Sequence, residues 1–259
     1  MNIRKFGRIV ALALVGFSAS PALANLITNG NFAAYTPYTL PGGGLANGFE
    51  LDVPSGTSTS LTGWTSTGYS FLFTPTTQST GGAYSPQFSN NLALWYAGNG
   101  GLNTWNGQAP TIPGYPNGPN FIASDGAYQS GPLSQTINGL ITGKRYALSF
   151  QWAAAQQKGF TGPNTEGWTV SLGAQSLSTQ TVSNSSQGFI PWMTQNFTFT
   201  AGGTSQLLSF LSTGGPNGVP PFSLLSNVDL SAVPEPASLA LLALASVGIG
   251  FARRRTRRF

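Results

Sequence analysis

The sequence predicts an all-β fold, a β-sandwich of the jelly-roll kind with long loops. Three observations carry that prediction. Short runs alternate apolar and polar residues with period two, as half-buried strands do. Gly, Pro, Asn and Ser punctuate those runs with turn chemistry. Between residues 25 and 232, no long segment repeats its apolar residues with the 3.6 period of a helix.

The first element is outside the sandwich. Arg4, Lys5 and Arg8 precede a short apolar run over 9–17, and Ala22 and Ala24 place small residues before a break. That order predicts a helical signal peptide over 1–24, cut by signal peptidase after Ala24. The run is too short to span a bilayer. The sandwich is predicted over 25–232. Its clearest strand alternates Tyr146, Leu148, Phe150 and Trp152 with Ala147, Ser149 and Gln151. Phe197 and Phe199 mark a second, and 69–73, 92–96, 121–124, 168–172 and 207–211 are further strands. Near the end, Leu224, Val228 and Leu230 are expected to share a face, with Asn227 and Asp229 opposite. The segment 97–120 breaks the pattern with six Gly, four Pro and five Asn in 24 residues, and a loop of that length tends to be functional.

Composition removes whole classes of chemistry. Among 259 residues there is no Cys and no His, which excludes disulfides, thiol nucleophiles, Cys/His zinc sites and imidazole triads. Only 7% of residues are charged. The net charge of +5 sits at the two ends, while 25–233 holds three bases against five acids, a net −2. Nucleic acid is therefore not an expected partner, because it requires a basic face on a folded domain.

The C-terminus is a third element, over 233–259. Pro234-Glu235-Pro236 breaks regular structure, and 237–252 follows without a charge. As a helix that span would be about 24 Å long, enough for a short transmembrane segment in a thinned bilayer. Arg253, Arg254, Arg255, Arg257 and Arg258 would then hold the tail in the cytoplasm. Pro-Glu-Pro, a short apolar span and an Arg-rich end together resemble the PEP-CTERM sorting signal. The resemblance implies an exosortase-type enzyme that recognises Pro234, Glu235 and Pro236 and removes the tail. It further implies an inner-membrane-tethered precursor in a Gram-negative bacterium, delivered to the cell surface or extracellular matrix.

The middle carries a second resemblance. Residues 25–32 (Asn-Leu-Ile-Thr-Asn-Gly-Asn-Phe), Gly63-Trp64-Thr65, 135–140, 146–152, 192–199 and the closing 226–230 are similar to galactose-binding-like jelly rolls and related carbohydrate-binding modules. Those families often hold a structural calcium near the first Phe and the last strand. Here Ala33 stands where an acid would be expected, leaving Asn31 and Asp229 as the calcium candidates. The expectation is that no cofactor is required.

Enzymatic chemistry is not expected, and no catalytic residue is assigned. Glycosidases use paired carboxylates, and 25–232 holds only Glu50, Asp52, Asp125, Glu166 and Asp229. Glu50 and Asp52 read as a solvent-facing pair on one strand, Asp125-Gly126 as a turn and Glu166 as a loop residue. Lys144 reads as a solvated turn charge. Aromatics are the better lead, since sugar C–H faces stack on rings and amides supply hydrogen bonds. Trp64, Trp95, Tyr96, Trp105, Tyr115 and Trp168 are available, with Trp152 and Trp192 assigned to the core. Trp105 and Tyr115, in the long polar loop, are the expected stacking surface. The expected role is noncovalent contact with exopolysaccharide or other surface components in a biofilm matrix. The alternatives are a structural matrix protein without a specific ligand and a secreted glycan-acting enzyme.

Overall fold

The computed structural model describes residues 24–46, 48–52, 60–74, 82–95 and 120–234. Within them the chain forms β1 (Tyr35–Thr36), β2 (Phe49–Glu50), β3 (Ser60–Leu61), β4 (Thr65–Ser66), β5 (Ser70–Phe73), β6 (Ala83–Ser85), β7 (Asn90–Leu92) and β8 (Phe121–Asp125). There follow β9 (Leu133–Asn138), β10 (Arg145–Gln156), β11 (Asn164–Leu172), β12 (Gln175–Ser178), β13 (Val182–Asn184), β14 (Phe189–Thr200), β15 (Ser205–Gly215) and β16 (Pro221–Ala232). Every regular element among the described residues is a strand, as the period-two runs predict. The expected helices over 1–24 and 237–252 fall mostly or wholly outside the described residues.

Eight strands form one sheet in the order β14-β10-β16-β8-β5-β2-β6-β7. The second sheet runs β12-β11-β15-β9-β4, with β13 paired to β11. All pairings are antiparallel except β2 with β6. The two sheets pack face to face over an aromatic core. Phe210 on β15 is its hub: Phe150 and Trp168 meet it edge-on at 5.2 Å and 6.0 Å, and Trp64 is tilted against it at 6.1 Å. Each indole finds a carbonyl, Trp64 donating to Thr28 O at 3.1 Å and Trp168 to Leu224 O at 3.2 Å, so burial leaves neither N–H unsatisfied. The N-terminal segment closes the fold against the last strand: Leu26 N–H donates to Leu230 O, and Val228 N–H to Gly30 O.

The large sheet is also covered on its outer face. Tyr69, Phe71, Phe73, Phe121, Ala153, Ala155, Phe222 and Leu224 belong to a second buried cluster. Phe73 and Phe121 stack there at 5.0 Å, and Trp192, half-buried, meets Phe121 edge-on. Trp152 is in the inner core as expected, whereas Trp192 only packs against this outer one.

Three expectations from the sequence need correction. Leu224 does not share a face with Val228 and Leu230. The register between β10 and β16 slips by one residue between Ser149 and Gln151, and Asn227 takes a left-handed φ of 53°. This bulge reverses the alternation, so Leu225, Val228 and Leu230 point into the inner core and Leu224 into the outer one. Glu50 and Asp52 are not a solvent-facing strand pair. β2 lies between β5 and β6, so Glu50 is buried and accepts a 2.7 Å bond from Ser85 Oγ. Asp52 lies beyond the strand with φ 48° and accepts the Ser66 N–H at 2.6 Å. Glu166 is not in a loop: β11 begins two residues earlier, because Thr165 and Glu166 pair with both β13 and β15.

Candidate functional site

Four turns and the start of β5 build an open cleft of about 510 Å³. Tyr69, just before β5, forms its floor and is 5% exposed. The turn between β6 and β7 brings Phe88, the turn after β8 brings Tyr128, and the turn after β10 brings Phe160. Asn90, Gln157 and Asn217 supply amides around the rings. Phe88, Tyr128 and Phe160 are 48%, 40% and 38% exposed. That separates them from the core rings, which stay at or below 5%. Phe88 and Tyr128 are held by contact with the floor. Tyr128 meets the Tyr69 ring edge-on at 5.3 Å and Phe88 meets it at 5.9 Å. Trp95 braces the rim, donating its indole N–H to Phe160 O at 3.1 Å, with Lys158 5.3 Å over its ring.

Asp125 sets the Tyr128 turn, as the Asp-Gly signal predicts. Its Oδ1 accepts the N–H groups of Ala127 at 2.8 Å and Tyr128 at 3.0 Å. Its Oδ2 is buried without a hydrogen-bond partner, and burial pushes the carboxyl up to about 6. Burial also raises Glu50, against the pull of Ser85 and Gln87. The Tyr69 hydroxyl is pushed well above its usual range, first by burial and then by the charge of Glu50. Asp125 lines the cleft, and both carboxyls are buried, at 3% and 4% exposure.

A second cleft, of about 560 Å³, lies where the N-terminal segment meets the bulge of β16. The structure brings Asn31 and Asp229 together there, with Asn25, Asn29, Gln151 and Asn227 beside them. Asn227 Nδ2 donates to Gln151 Oε1 at 2.6 Å, and Asn25 Oδ1 accepts from Ile27 and Leu230 N–H. Of the other expected aromatics, Trp64 and Trp168 are core. Trp105, Tyr115 and Tyr96 lie outside the described residues, as do Ala22, Glu235, Pro236, Arg253, Arg254, Arg255, Arg257 and Arg258. Ala24 and Pro234 are described and exposed.

Residues 232–258 match the PEP-CTERM protein-sorting motif. The match coincides with the tail read from the Pro-Glu-Pro order. A PEP-CTERM tail belongs to an exported protein that is anchored at the membrane before processing, with an exosortase-type enzyme as the processing partner. No curated protein matches the chain. Among solved structures, the chain is similar to the CBM22-1 xylan-binding domain from Paenibacillus barcinonensis Xyn10C, with 12% identity over 79% of this chain and 100% of that one, at a TM-score of 0.33. It is similar to a putative sugar binding protein from Bacteroides thetaiotaomicron, with 12% identity over 81% and 100%, at a TM-score of 0.32. It is also similar to arabinose-bound MgGH51 α-L-arabinofuranosidase, with 15% identity over 77% of this chain and 30% of that one, at a TM-score of 0.33. The ligands in those names belong to those proteins, and the cleft here is read from its own side chains.

The sequence missed this cleft. Phe88, Tyr128 and Phe160 each sit alone in a turn, and no periodicity gathers them. The one available signal is local: each is a large aromatic flanked by turn residues, as in Ser85-Pro86-Gln87-Phe88-Ser89 and Asp125-Gly126-Ala127-Tyr128.

Proposed function

We propose that the protein is exported by its N-terminal signal, held at the inner membrane by its PEP-CTERM tail, and freed by an exosortase-type enzyme. It then acts without catalysis at the cell surface or in the extracellular matrix, contacting polysaccharide through the aromatic cleft. The observation that carries this reading is a cleft lined by three half-exposed rings, two of them held against Tyr69, with amides at the rim. Rings bury sugar C–H faces at low entropic cost, and side-chain amides complete the polar contacts. Trp105 and Tyr115 remain candidates for a second stacking surface. The processed protein on a glycan array tests the reading. Saturable binding that falls in the Tyr128→Ala/Phe160→Ala double variant supports it; binding that ignores both substitutions moves the site elsewhere. Release of reducing ends would make the protein a glycan-acting enzyme instead.

A structural matrix role without a glycan ligand is the second reading. It is favoured by β14, a 12-residue strand at the outer edge of the large sheet, where further strands can pair.

A further inference from the structure

The inner face of β11 reads Asn164, Glu166, Trp168, Val170 and Leu172, and the last three fill the inner core. The first two extend that face into the end of the sandwich. Asn184 on β13 lies directly across from Asn164, and Val182 across from Glu166. All three polar residues are more than nine-tenths buried: Asn164 is 3% exposed, Glu166 0% and Asn184 2%. Glu166 Oε2, Asn164 Oδ1 and Asn184 Oδ1 have no hydrogen-bond partner. All three are acceptors. The amide nitrogens are engaged elsewhere: Asn184 Nδ2 donates to Gly188 O at 3.1 Å and to Glu166 Oε1 at 3.4 Å, and Asn164 Nδ2 to Pro220 O at 3.5 Å. Two further side-chain donors, Gln156 Nε2 and Ser223 Oγ, are engaged by Gly162 O and Gly167 O.

Buried acceptors left unpaired are costly, and a buried carboxylate more so. We propose that Asn164, Glu166 and Asn184 hold a hard metal cation inside the sandwich, either calcium or an alkali ion of similar radius. An all-oxygen donor set suits such ions, and calcium takes six to eight oxygens in flexible geometry. The following turn places further oxygens beside Asn184 Oδ1. A Cβ on Gly188 would collide with Asn184 Oδ1, the Ser185 carbonyl and the Ser185 hydroxyl, so only glycine leaves these three oxygens room to converge. Magnesium fits less well, because it demands octahedral geometry and keeps its waters. Protonation of Glu166, which burial pushes up to about 8, satisfies Oε2 and one amide oxygen but leaves the other amide oxygen alone. A cation satisfies all three. This site is distinct from the cleft that holds Asn31 and Asp229 and does not depend on glycan binding.

The test uses the whole exported protein, stripped with chelator and held in choline chloride. Calcium alone, sodium alone and potassium alone are then added while thermal unfolding and bound metal are measured. The expected result is a saturable rise in Tm with one ion per chain, lost in Glu166→Gln and kept in Asp229→Asn. The calcium and alkali arms tell the two ions apart. Asn184→Asp adds a second carboxylate and is expected to tighten calcium at least tenfold, which keeps the proposal falsifiable if Glu166→Gln does not fold. Three outcomes overturn it: no ion raises Tm, the response survives Glu166→Gln but not Asp229→Asn, or Asn184→Asp destabilises the protein without gaining calcium affinity.

Discussion

The two faces of the large sheet are both buried, yet they are built differently. On the inner face, β10 presents Tyr146, Leu148, Phe150 and Trp152, large residues that interlock with Phe210 and Leu230. On the outer face, the same strand presents Ala153 and Ala155, over which Phe71, Phe121 and Phe222 close. The inner face is the contact between two sheets and follows from period two. The outer face is covered at one end only, the end where the strand becomes continuously buried from Trp152 to Gln156. A sheet face can thus be half core and half surface, and the aromatic cleft opens at the rim of the covered half through Tyr69, a member of that outer cluster.

Substitutions can break this comparison in order of size. Phe210→Ala, at the hub of the inner core, is expected to cost about 3–5 kcal/mol in denaturant unfolding, the usual range for a buried Phe. A cost below about 1 kcal/mol would move the centre of the fold elsewhere. On the outer face the sensitive change is the opposite one. Ala153→Leu inserts bulk where the strand offers only alanine and is expected to cost about 1–3 kcal/mol by overpacking; a neutral result would mean that the outer cover is loose. Asn227→Val tests the bulge that swaps the two faces. A β-branched residue at φ 53° is expected to cost about 1–2 kcal/mol, and Asn227→Gly much less. Equal effects of the two would show that the lost Gln151 bond, not the backbone, sets the register.

The cleft gives a smaller effect on stability and a larger one on binding. Tyr128→Ala and Phe160→Ala are expected to leave Tm within a few degrees and to weaken glycan binding by about 1–3 kcal/mol per ring, by analogy with other stacking platforms. Calorimetric titration beside a melting curve separates the two. A last effect is on pH. Asp125 is raised from 3.8 to about 6, so the folded state holds a proton that the unfolded chain has released. Its contribution is complete below about pH 4 and is lost as pH rises through about 6. Burial raises this carboxyl against the pull of the Tyr128 and Ala127 N–H groups, and its charge in turn acts on the Tyr69 hydroxyl. Asp125→Asn should flatten the stability profile between those values, and an unchanged slope would assign it to other acids.

Much of this fold is written locally. The alternation over 146–152, the turn at Asp125-Gly126 and the apolar spacing on β15 each specify a strand or a turn from neighbouring residues alone. The tail was legible too, because a sorting signal is read as linear sequence. What was not legible depends on partners distant in the chain. Glu50 reads as polar surface until β5 and β6 flank it, and Glu166 reads as a loop residue until β13 and β15 pair with it. Leu224 reads onto the wrong face because one bulge residue inverts everything after it. The cleft rings escaped for the same reason, being gathered by three separate turns.

β16 has a mechanical consequence. Its first residues follow Asn217, Gly218 and Pro220 of the aromatic cleft, and its last lead through Val233 and Pro234 into the membrane tail. The cleft and the tail therefore lie at opposite ends of one strand, about 40 Å apart at roughly 3.3 Å per residue. That strand runs inside the sheet, bonded to β10 on one side and β8 on the other. While the precursor is still tethered, a pull between the cleft and the tail acts along the strand axis. It loads those rows of hydrogen bonds in shear, all together, rather than peeling them apart one at a time.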